Sequence, residues 1–269
     1  MAKKRLPFDT TDAKEFAKEF EKLSYRFNTW DVWCDFVTSF ACCISLTADR
    51  SDQGRFEDRS KRLNDTMKRY TEEERRVFTA LAEITASALE KNPEQDFLGR
   101  MYMSLDFGSK WHGQFFTPWD VGYAMAKMTL TGNDAESKFK EQLYLSCMDP
   151  CCGAGCLLLA SAAAYDHLYE GRRHQDDLLL VGQDLDPTVA MMCYIQLSLT
   201  GCAGYIAVGN SLTNPVAGTV LDPEMDGIEN LWFTPMWFSP LWEFRRISHL
   251  LRKMEWQMAQ QENEERRSG

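Results

Sequence analysis

Residues 144–155 read YLSCMDPCCGAG, a short apolar run followed by an acid and a turn with two glycines. A segment rich in alanine and leucine follows, to about Glu170. Two further apolar runs, Leu178–Val181 and Tyr205–Val208, flank another helical pattern at 187–199. Strand, glycine turn, helix, strand, helix and strand in this order predict an α/β fold with a parallel, Rossmann-like sheet.

The turn from Asp149 to Gly155 lies where a nucleotide-like cofactor is expected, at the carboxyl end of a strand. Its glycines let the backbone approach a ligand closely, and the N–H groups that open the next helix favour a carboxylate. Asp184 ends the following strand, where a Rossmann fold places an acid on ribose hydroxyls. A plain strand-to-helix turn with an N-terminal acid explains each feature equally well when it is taken alone.

The first hundred residues carry apolar side chains at helical spacing, and Thr71 with Glu74 forms a capping-box pattern. We therefore divide the chain into a helical N-terminal domain (1–105), a Rossmann-like domain (106–245), and a C-terminal helix with a charged tail (246–269). In the second domain, Thr117 and Pro118 are expected to open a helix.

The net charge is −10. Phosphate neutralisation supplies most non-specific affinity for DNA, so this balance predicts weak DNA binding by the chain alone, unless a local basic groove or a partner contributes. No run approaches the roughly 18 uninterrupted apolar residues of a membrane helix, and no signal peptide is visible, which favours a cytoplasmic protein without a membrane.

The chain has nine cysteines, an odd number that includes two adjacent pairs. Neither feature is typical of a secreted disulfide framework, so reduced thiols are expected. Cys147, Cys151, Cys152 and Cys156 cluster in sequence, but without the paired Cys-x2-Cys knuckles of a zinc site. We predict no metal.

Four ordered segments carry a more specific signal. They are Gly113-Gln114-Phe115-Phe116-Thr117-Pro118, Asp149-Pro150-x-Cys152-Gly153-x-Gly155, Gly182-Gln183-Asp184-x-Asp186-Pro187 and Gly209-Asn210-Ser211-Leu212. Together they resemble the adenine-N6 DNA methylases typified by the modification subunit of type I restriction-modification systems. The resemblance implies a methyltransferase with S-adenosylmethionine as cofactor and adenine in DNA as substrate.

The resemblance also implies roles for residues of the cofactor site. The segment Phe115, Phe116, Thr117 and Pro118 would pack against the methionine end of the cofactor. The turn residues Asp149, Cys151, Gly153 and Gly155 would line the methionine and the ribose. Asp184 would accept from the ribose hydroxyls and Leu185 would lie on the adenine face. Asn210 takes the place of an acid that contacts the adenine amino group in the family.

The family's catalytic motif, Asn/Asp/Ser-Pro-Pro-aromatic after a fourth strand, holds a flipped adenine with its amino nitrogen facing the methyl group. No intact copy is present. The best match is Thr234-Pro235-Met236-Trp237 after the apolar run Leu231–Phe233, with Thr234, Pro235 and Trp237 as catalytic candidates. Ser239-Pro240-Leu241-Trp242 is a second match. A hydrophobic core or surface segment explains the same residues as well.

Three hypotheses follow: a working adenine-N6 methyltransferase, an inactive methylase-like binding module, and a methyltransferase for another substrate. The family sheet has three more strands after the fourth, so the predicted sheet would end at an exposed edge, which proteins normally cover. We therefore expect a homodimer or a protein partner, such as a specificity subunit or a second methylase chain.

Overall fold

The computed structural model describes residues 9–105, 116–131, 137–139, 142–224, 227 and 230–268, with side chains described to residue 261. Within residues 9–105 the chain forms five helices: α1 (Thr11–Glu21), α2 (Thr29–Ala48), α3 (Gln53–Met67), α4 (Glu72–Lys91) and α5 (Phe97–Ser104). The capping box predicted at Thr71 and Glu74 is confirmed at the start of α4. The helical N-terminal region is therefore as expected.

Helix α2 is the one helix among the described residues that is long and apolar enough to cross a membrane by length and composition. Polar residues interrupt the apolar residues of α2, which is why the sequence shows no uninterrupted apolar run of membrane-spanning length there. Trp33, Phe36 and Ala41 of this helix are buried in the protein core. Since a buried core helix passes the same test, the finding is weak evidence for a membrane span.

The second part of the chain alternates helices and strands. The described elements are α6 (Trp119–Leu130), β1 (Leu145–Asp149), α7 (Cys156–Leu168), α8 (His174–Asp177), β2 (Leu178–Asp184), α9 (Pro187–Leu199), β3 (Ala203–Val208), β4 (Ala217–Thr219), β5 (Asp222–Glu224), β6 (Leu231–Phe233), a 3-10 turn (Pro235–Phe238) and α10 (Pro240–Ser268). This order confirms the predicted Rossmann-like α/β fold behind a helical region.

The main sheet has the strand order β1-β2-β3-β6, and β4 pairs with β5 in a separate hairpin. Strands β1, β2 and β3 are parallel, with Asp149 opposite Gly182 and Asp184 opposite Val208. The carboxyl ends of the three strands therefore meet on one side of the sheet, as a parallel arrangement requires. The acidic ends of β1 and β2 are brought together there.

Two apolar layers cover the sheet. One contains α6, α7 and α9 and is continuous with the core of the N-terminal helices. The other covers the opposite face with residues from the hairpin, the 3-10 turn and the start of α10, including Leu221, Trp237 and Trp242. The buried apolar core thus contains side chains from both sides of residue 105, and the proposed domain boundary there stays a prediction.

The apolar run 231–233 forms the fourth strand of the main sheet, β6, as the sequence predicts. Its direction differs from the predicted parallel sheet, because β6 runs antiparallel to β3, with Phe233 opposite Tyr205. This course places β6 beside α3, where the Arg59 guanidinium lies 3.9 Å from the Trp232 ring and donates to the Leu231 carbonyl at 3.1 Å.

Candidate cofactor site at the carboxyl ends of the strands

The turn between β1 and α7, residues 149–155, is called the glycine loop below. Its backbone is hydrogen-bonded at several points. The Cys151 N–H donates to Asp149 Oδ1 at 3.0 Å, and the Gly155 N–H donates to the Cys152 carbonyl at 2.8 Å. The Cys152 N–H donates to the carbonyl of Gln183 on β2 at 3.0 Å. The loop is therefore a defined turn that is anchored to the neighbouring strand.

Both glycines of the loop adopt left-handed backbone conformations, with φ of 52° at Gly153 and 93° at Gly155. Side-chain-bearing residues rarely adopt these angles. A Cβ on Gly155 would also lie 2.6 Å from the Cys193 sulfur, and one on Gly153 would lie 3.3 Å from the Phe116 ring. The loop thus needs glycine for its conformation and for its close packing.

Asp184 ties the end of β2 to the glycine loop. Its Oδ2 accepts from the Gly153 N–H at 2.8 Å, and its Oδ1 accepts from the Asp186 N–H at 3.0 Å. Burial raises the pKa of Asp149, the Cys151 N–H lowers it, and the nearby charge of Asp184 raises it further. The two carboxylates therefore form one acidic site beside the left-handed glycine.

Phe116 lies against this loop and against the N-terminal helical region. Its ring centroid is 5.1 Å from that of Tyr102, close to the end of α5. Thr117 and Pro118 follow, and α6 begins at Trp119 with Pro118 as its N-cap. The helix therefore begins one residue later than the sequence predicted with Thr117 as N-cap, and no side chain caps it. Gly113, Gln114 and Phe115 lie outside the described residues.

The remaining cofactor candidates follow β2 and β3. Leu185 is 68% exposed directly after Asp184. Asn210 Oδ1 accepts from the Leu212 N–H at 2.9 Å, and the adjacent Gly209 N–H donates to the Asp184 carbonyl at 2.9 Å. Leu185 and Asn210 therefore follow the carboxyl ends of β2 and β3, on the same side of the sheet as the glycine loop, and their contact with a cofactor stays a prediction.

Two grooves run beside β1, on either side of the sheet. One, of about 430 Å³, borders the glycine loop and is lined by residues that include Met125, Met148, Asp149 and Leu157. The other, of about 520 Å³, is lined by polar and basic side chains, including Ser146, His249, Arg252 and Lys253. Both follow the outer side of β1, which has no further strand partner among the described residues.

The catalytic candidates lie elsewhere. Thr234 is fully buried; its hydroxyl donates to the Cys202 carbonyl at 2.7 Å and accepts from the Gly204 N–H at 3.1 Å. Cys202 and Gly204 are at the amino end of β3, whereas the glycine loop is at the carboxyl ends. Because β6 is antiparallel, its carboxyl end points away from the cofactor site. The structure does not bring Thr234, Pro235 or Trp237 to the glycine loop.

Trp237 is a core residue. It is 5% exposed, and its ring packs 5.5 Å from Tyr205 and 5.0 Å from Phe233 between centroids. In the second motif candidate, Trp242 is fully buried, and its indole N–H donates to the Gln175 carbonyl at 2.7 Å. Both tryptophans are buried in this structure, which favours the core-segment alternative, and the two catalytic interpretations stay predictions.

Two buried glutamines of this region, Gln183 and Gln196, received no role in the sequence analysis, although Gln183 lies in one of the quoted motifs. Gln183 on β2 donates to the Asn214 carbonyl at 2.8 Å and accepts from the Val216 N–H at 3.2 Å, which holds the segment after β3. Gln196 on α9 contacts the Ala154 carbonyl of the glycine loop at 2.8 Å. For Gln196, the signal in the sequence was a single amide side chain in an otherwise apolar helix. A buried amide needs specific hydrogen-bond partners, so this position indicated a buried polar contact.

No group of three or more His, Cys, Asp or Glu side chains among the described residues could hold a metal ion. All nine cysteines are free thiols. The pKa of the Cys156 thiol is raised to about 12, mainly because the thiol is buried and also because of the nearby charge of Asp96. This thiol is therefore protonated at neutral pH and behaves as an apolar packing group.

Known proteins resemble this chain in part of its sequence and in its fold. The sequence model of the N-6 DNA methylase family matches residues 94–265, which include the glycine loop, Asp184 and Asn210. A solved structure from Listeria monocytogenes, assigned to the class I S-adenosylmethionine-dependent methyltransferases, is similar at 15% identity with a TM-score of 0.41. The match covers 78% of this chain and 57% of that one, so this chain spans little more than half of that protein. No curated protein matches.

Proposed function

Because the chain belongs to the N-6 DNA methylase family, we propose that it binds S-adenosylmethionine at the glycine loop. One observation carries the proposal: Gly153, in a left-handed conformation beneath the Phe116 ring, donates its N–H to Asp184. This contact joins three segments that the sequence motifs predicted to form one site. Family and fold both imply this cofactor.

The residues of the site fit the chemical groups of the cofactor. A carboxylate is favoured at the start of α7, where the first N–H groups of the helix have no intrahelical partner. Each oxygen of Asp184 has a lone pair left for a hydroxyl donor beyond the backbone bond that it accepts. Leu185 offers exposed apolar surface for a flat ring. When bound, S-adenosylmethionine supplies an electrophilic methyl group.

The acceptor in this proposal is the N6 amino group of adenine in DNA, by family membership. In this proposal the glycine loop supplies the cofactor half of such a reaction, while the segment nearest to the family's catalytic motif is buried at the other end of β3. We therefore propose that the chain alone binds cofactor and transfers little or no methyl. Its alternative role is an inactive methylase-like module that acts through another chain, such as a specificity subunit or a second methylase chain, in the cytoplasm.

Calorimetry with S-adenosylhomocysteine, the demethylated cofactor, tests the proposal. Wild-type protein should bind, and Asp184→Ala should weaken binding by about 1.5–3 kcal/mol because a charge-assisted hydrogen bond is lost. Asp222→Ala is the matched control, since Asp222 is paired with Lys253 away from the loop. Absence of binding to folded wild-type protein would refute the proposal.

A transfer assay tests the second half. Purified chain with labelled S-adenosylmethionine and adenine-containing duplex DNA should give little N6-methyladenine, and DNA binding should be weak and fall steeply with salt. Robust methylation by the unmodified chain would show that it contains a complete active site and would exclude the binding-module alternative.

A further inference from the structure

Gln196 connects the glycine loop to the N-terminal helical region. Its side chain is fully buried in α9. The amide nitrogen donates two hydrogen bonds, one to the Ala154 carbonyl at 2.8 Å and the other to Asp96 Oδ1 at 2.8 Å. The amide oxygen accepts from the Leu98 N–H at 2.9 Å. One carboxamide therefore bridges the loop, α9 and the start of α5.

The other end of this bridge is a buried acid. Asp96 is the N-cap of α5 and accepts from the Gly99 N–H at 2.8 Å. Burial raises the pKa of Asp96, while the hydrogen bonds from Gln196 and Gly99 lower it. A Cβ on Gly99 would lie 2.0 Å from Asp96 Oδ2, so glycine leaves the room that the carboxylate occupies. The acid is held in one position by its cap and by Gln196.

On the loop side, α9 makes two contacts from the same face. Gln196 holds the Ala154 carbonyl, and Cys193, three residues earlier, packs against Gly155. The Ala154–Gly155 peptide is thereby fixed by Gln196 at its carbonyl and by the Cys152 carbonyl at its N–H. This peptide immediately precedes the first turn of α7, whose N–H groups face the proposed cofactor carboxylate.

We propose that Gln196 is a positioning residue of the cofactor site and that the helical region, through Asp96, is part of that site. The inference rests on the proposed function, since it assigns the loop a cofactor. Gln196 acts only through the Ala154 peptide, and removal of its N–H donors leaves a buried carbonyl without its partner. The loop then loses its fixed geometry, although the glycines and Asp184 are intact.

The test compares Gln196→Met, which keeps the size and removes the hydrogen bonds, with Tyr194→Phe. The Tyr194 hydroxyl donates to the Phe233 carbonyl from the same buried helix and does not contact the loop. Gln196→Met should weaken S-adenosylhomocysteine binding about tenfold or more, and Tyr194→Phe should leave it within about twofold, even where both lower thermal stability.

Hydrogen exchange of the amides of residues 151–157, measured without ligand, is the second readout. These amides should exchange faster in Gln196→Met and at the wild-type rate in Tyr194→Phe. Unchanged loop exchange and unchanged affinity in Gln196→Met would overturn the inference. If wild-type protein binds no S-adenosylhomocysteine, the proposed function fails, and the exchange data still decide the role of Gln196.

Gln196→Glu adds a test by pH. If Gln196 only supported the fold, the affinity of this variant relative to wild type would not depend on pH. A carboxyl carries at most one proton, so it donates to Ala154 only when Asp96 is protonated as well. Two buried carboxyls in contact share a first proton at a raised pKa and take up the second proton only at lower pH. Relative to wild type, binding and loop protection should therefore recover as the pH is lowered. A variant-to-wild-type ratio independent of pH would count against the bridge.

Discussion

The two edges of the main sheet are covered in opposite ways. At the β6 edge, Leu231, Trp232 and Phe233 are all buried, and two arginines of α3 lie over the aromatic rings, Arg59 at 3.9 Å from Trp232 and Arg55 at 5.1 Å from Phe233. At the β1 edge, Ser146 and Met148 are exposed beside the two grooves. We call these the closed and the open edge.

Other parts of the chain cover the β6 edge of the sheet, whereas the β1 edge is exposed and accessible to a partner. Doubly wound sheets place their ligand at a switch point, with strands on both sides of the first strand. Here the glycine loop lies next to the open edge, and exposed apolar side chains flank that edge, among them Val121, Met125 and Met128 of α6. Such a patch is typical of a protein interface. The expectation of a partner is therefore centred on β1.

The largest effect is expected at the closed edge. Trp237→Ala should lower the free energy of unfolding by about 3–5 kcal/mol, because it removes a large buried ring. Trp256→Ala, at a position that is 64% exposed, is the control and should change stability by less than about 0.5 kcal/mol. Urea unfolding of both variants measures this. Equal stability of the two variants would show that Trp237 is accessible, as a base-stacking residue would be.

Thr234→Val tests the same edge more finely. The change keeps the shape and removes a hydroxyl that donates to Cys202 and accepts from Gly204. A loss of about 1–3 kcal/mol is expected from the unsatisfied backbone groups. The affinity for S-adenosylhomocysteine should be unchanged, since Thr234 is far from the glycine loop along β3. A selective loss of cofactor affinity without loss of stability would contradict the assignment.

The amino ends of the strands contain a titrating pair that belongs to neither edge. His174 Nδ1 lies 2.6 Å from Asp166 Oδ2. Burial lowers the pKa of His174, but hydrogen bonds to Asp166 and Cys202 raise it to about 10. Since the unfolded pKa is about 6.5, this stabilisation is complete below about pH 6.5 and decreases as pH rises towards 10.

Unfolding at about pH 6, 7.5 and 9 should therefore show wild-type stability falling by about 2–3 kcal/mol between pH 6 and pH 9 relative to His174→Gln. The variant lacks the titrating imidazole, so its pH dependence is the baseline against which wild type is compared. Parallel pH profiles for the two proteins would mean that folding does not raise the pKa of the imidazole.

The smallest effect on stability is expected at the open edge. Met148→Lys should change the free energy of unfolding by less than about 0.5 kcal/mol, because the side chain is 48% exposed. It should, however, reduce association, since a charge on an edge strand discourages pairing. Light scattering across concentration measures this, with wild type expected to exceed the 31.0 kDa monomer. A wild-type monomer at every concentration would remove the dimer from the partner proposals.

The sequence by itself determined the alternation of β1, α7, β2, α9 and β3, the glycine loop, the capping box of α4 and the family. These features depend on contiguous residues: a left-handed turn needs glycine where it occurs, and a capping box spans four positions. The acid at the end of β2 follows from the same local logic. For this reason Asp149, Gly153 and Asp184 could be named as one candidate cofactor site before their positions were known.

Only the tertiary structure decided the direction of β6, the burial of Trp237 and the bridge through Gln196. An apolar run reads the same whether its strand is parallel or antiparallel, and here α3, far away in sequence, provides the surface that receives it. Asp96 and Gln196 are 100 residues apart. Their contact depends on how α5 and α9 pack, and no local pattern encodes that packing.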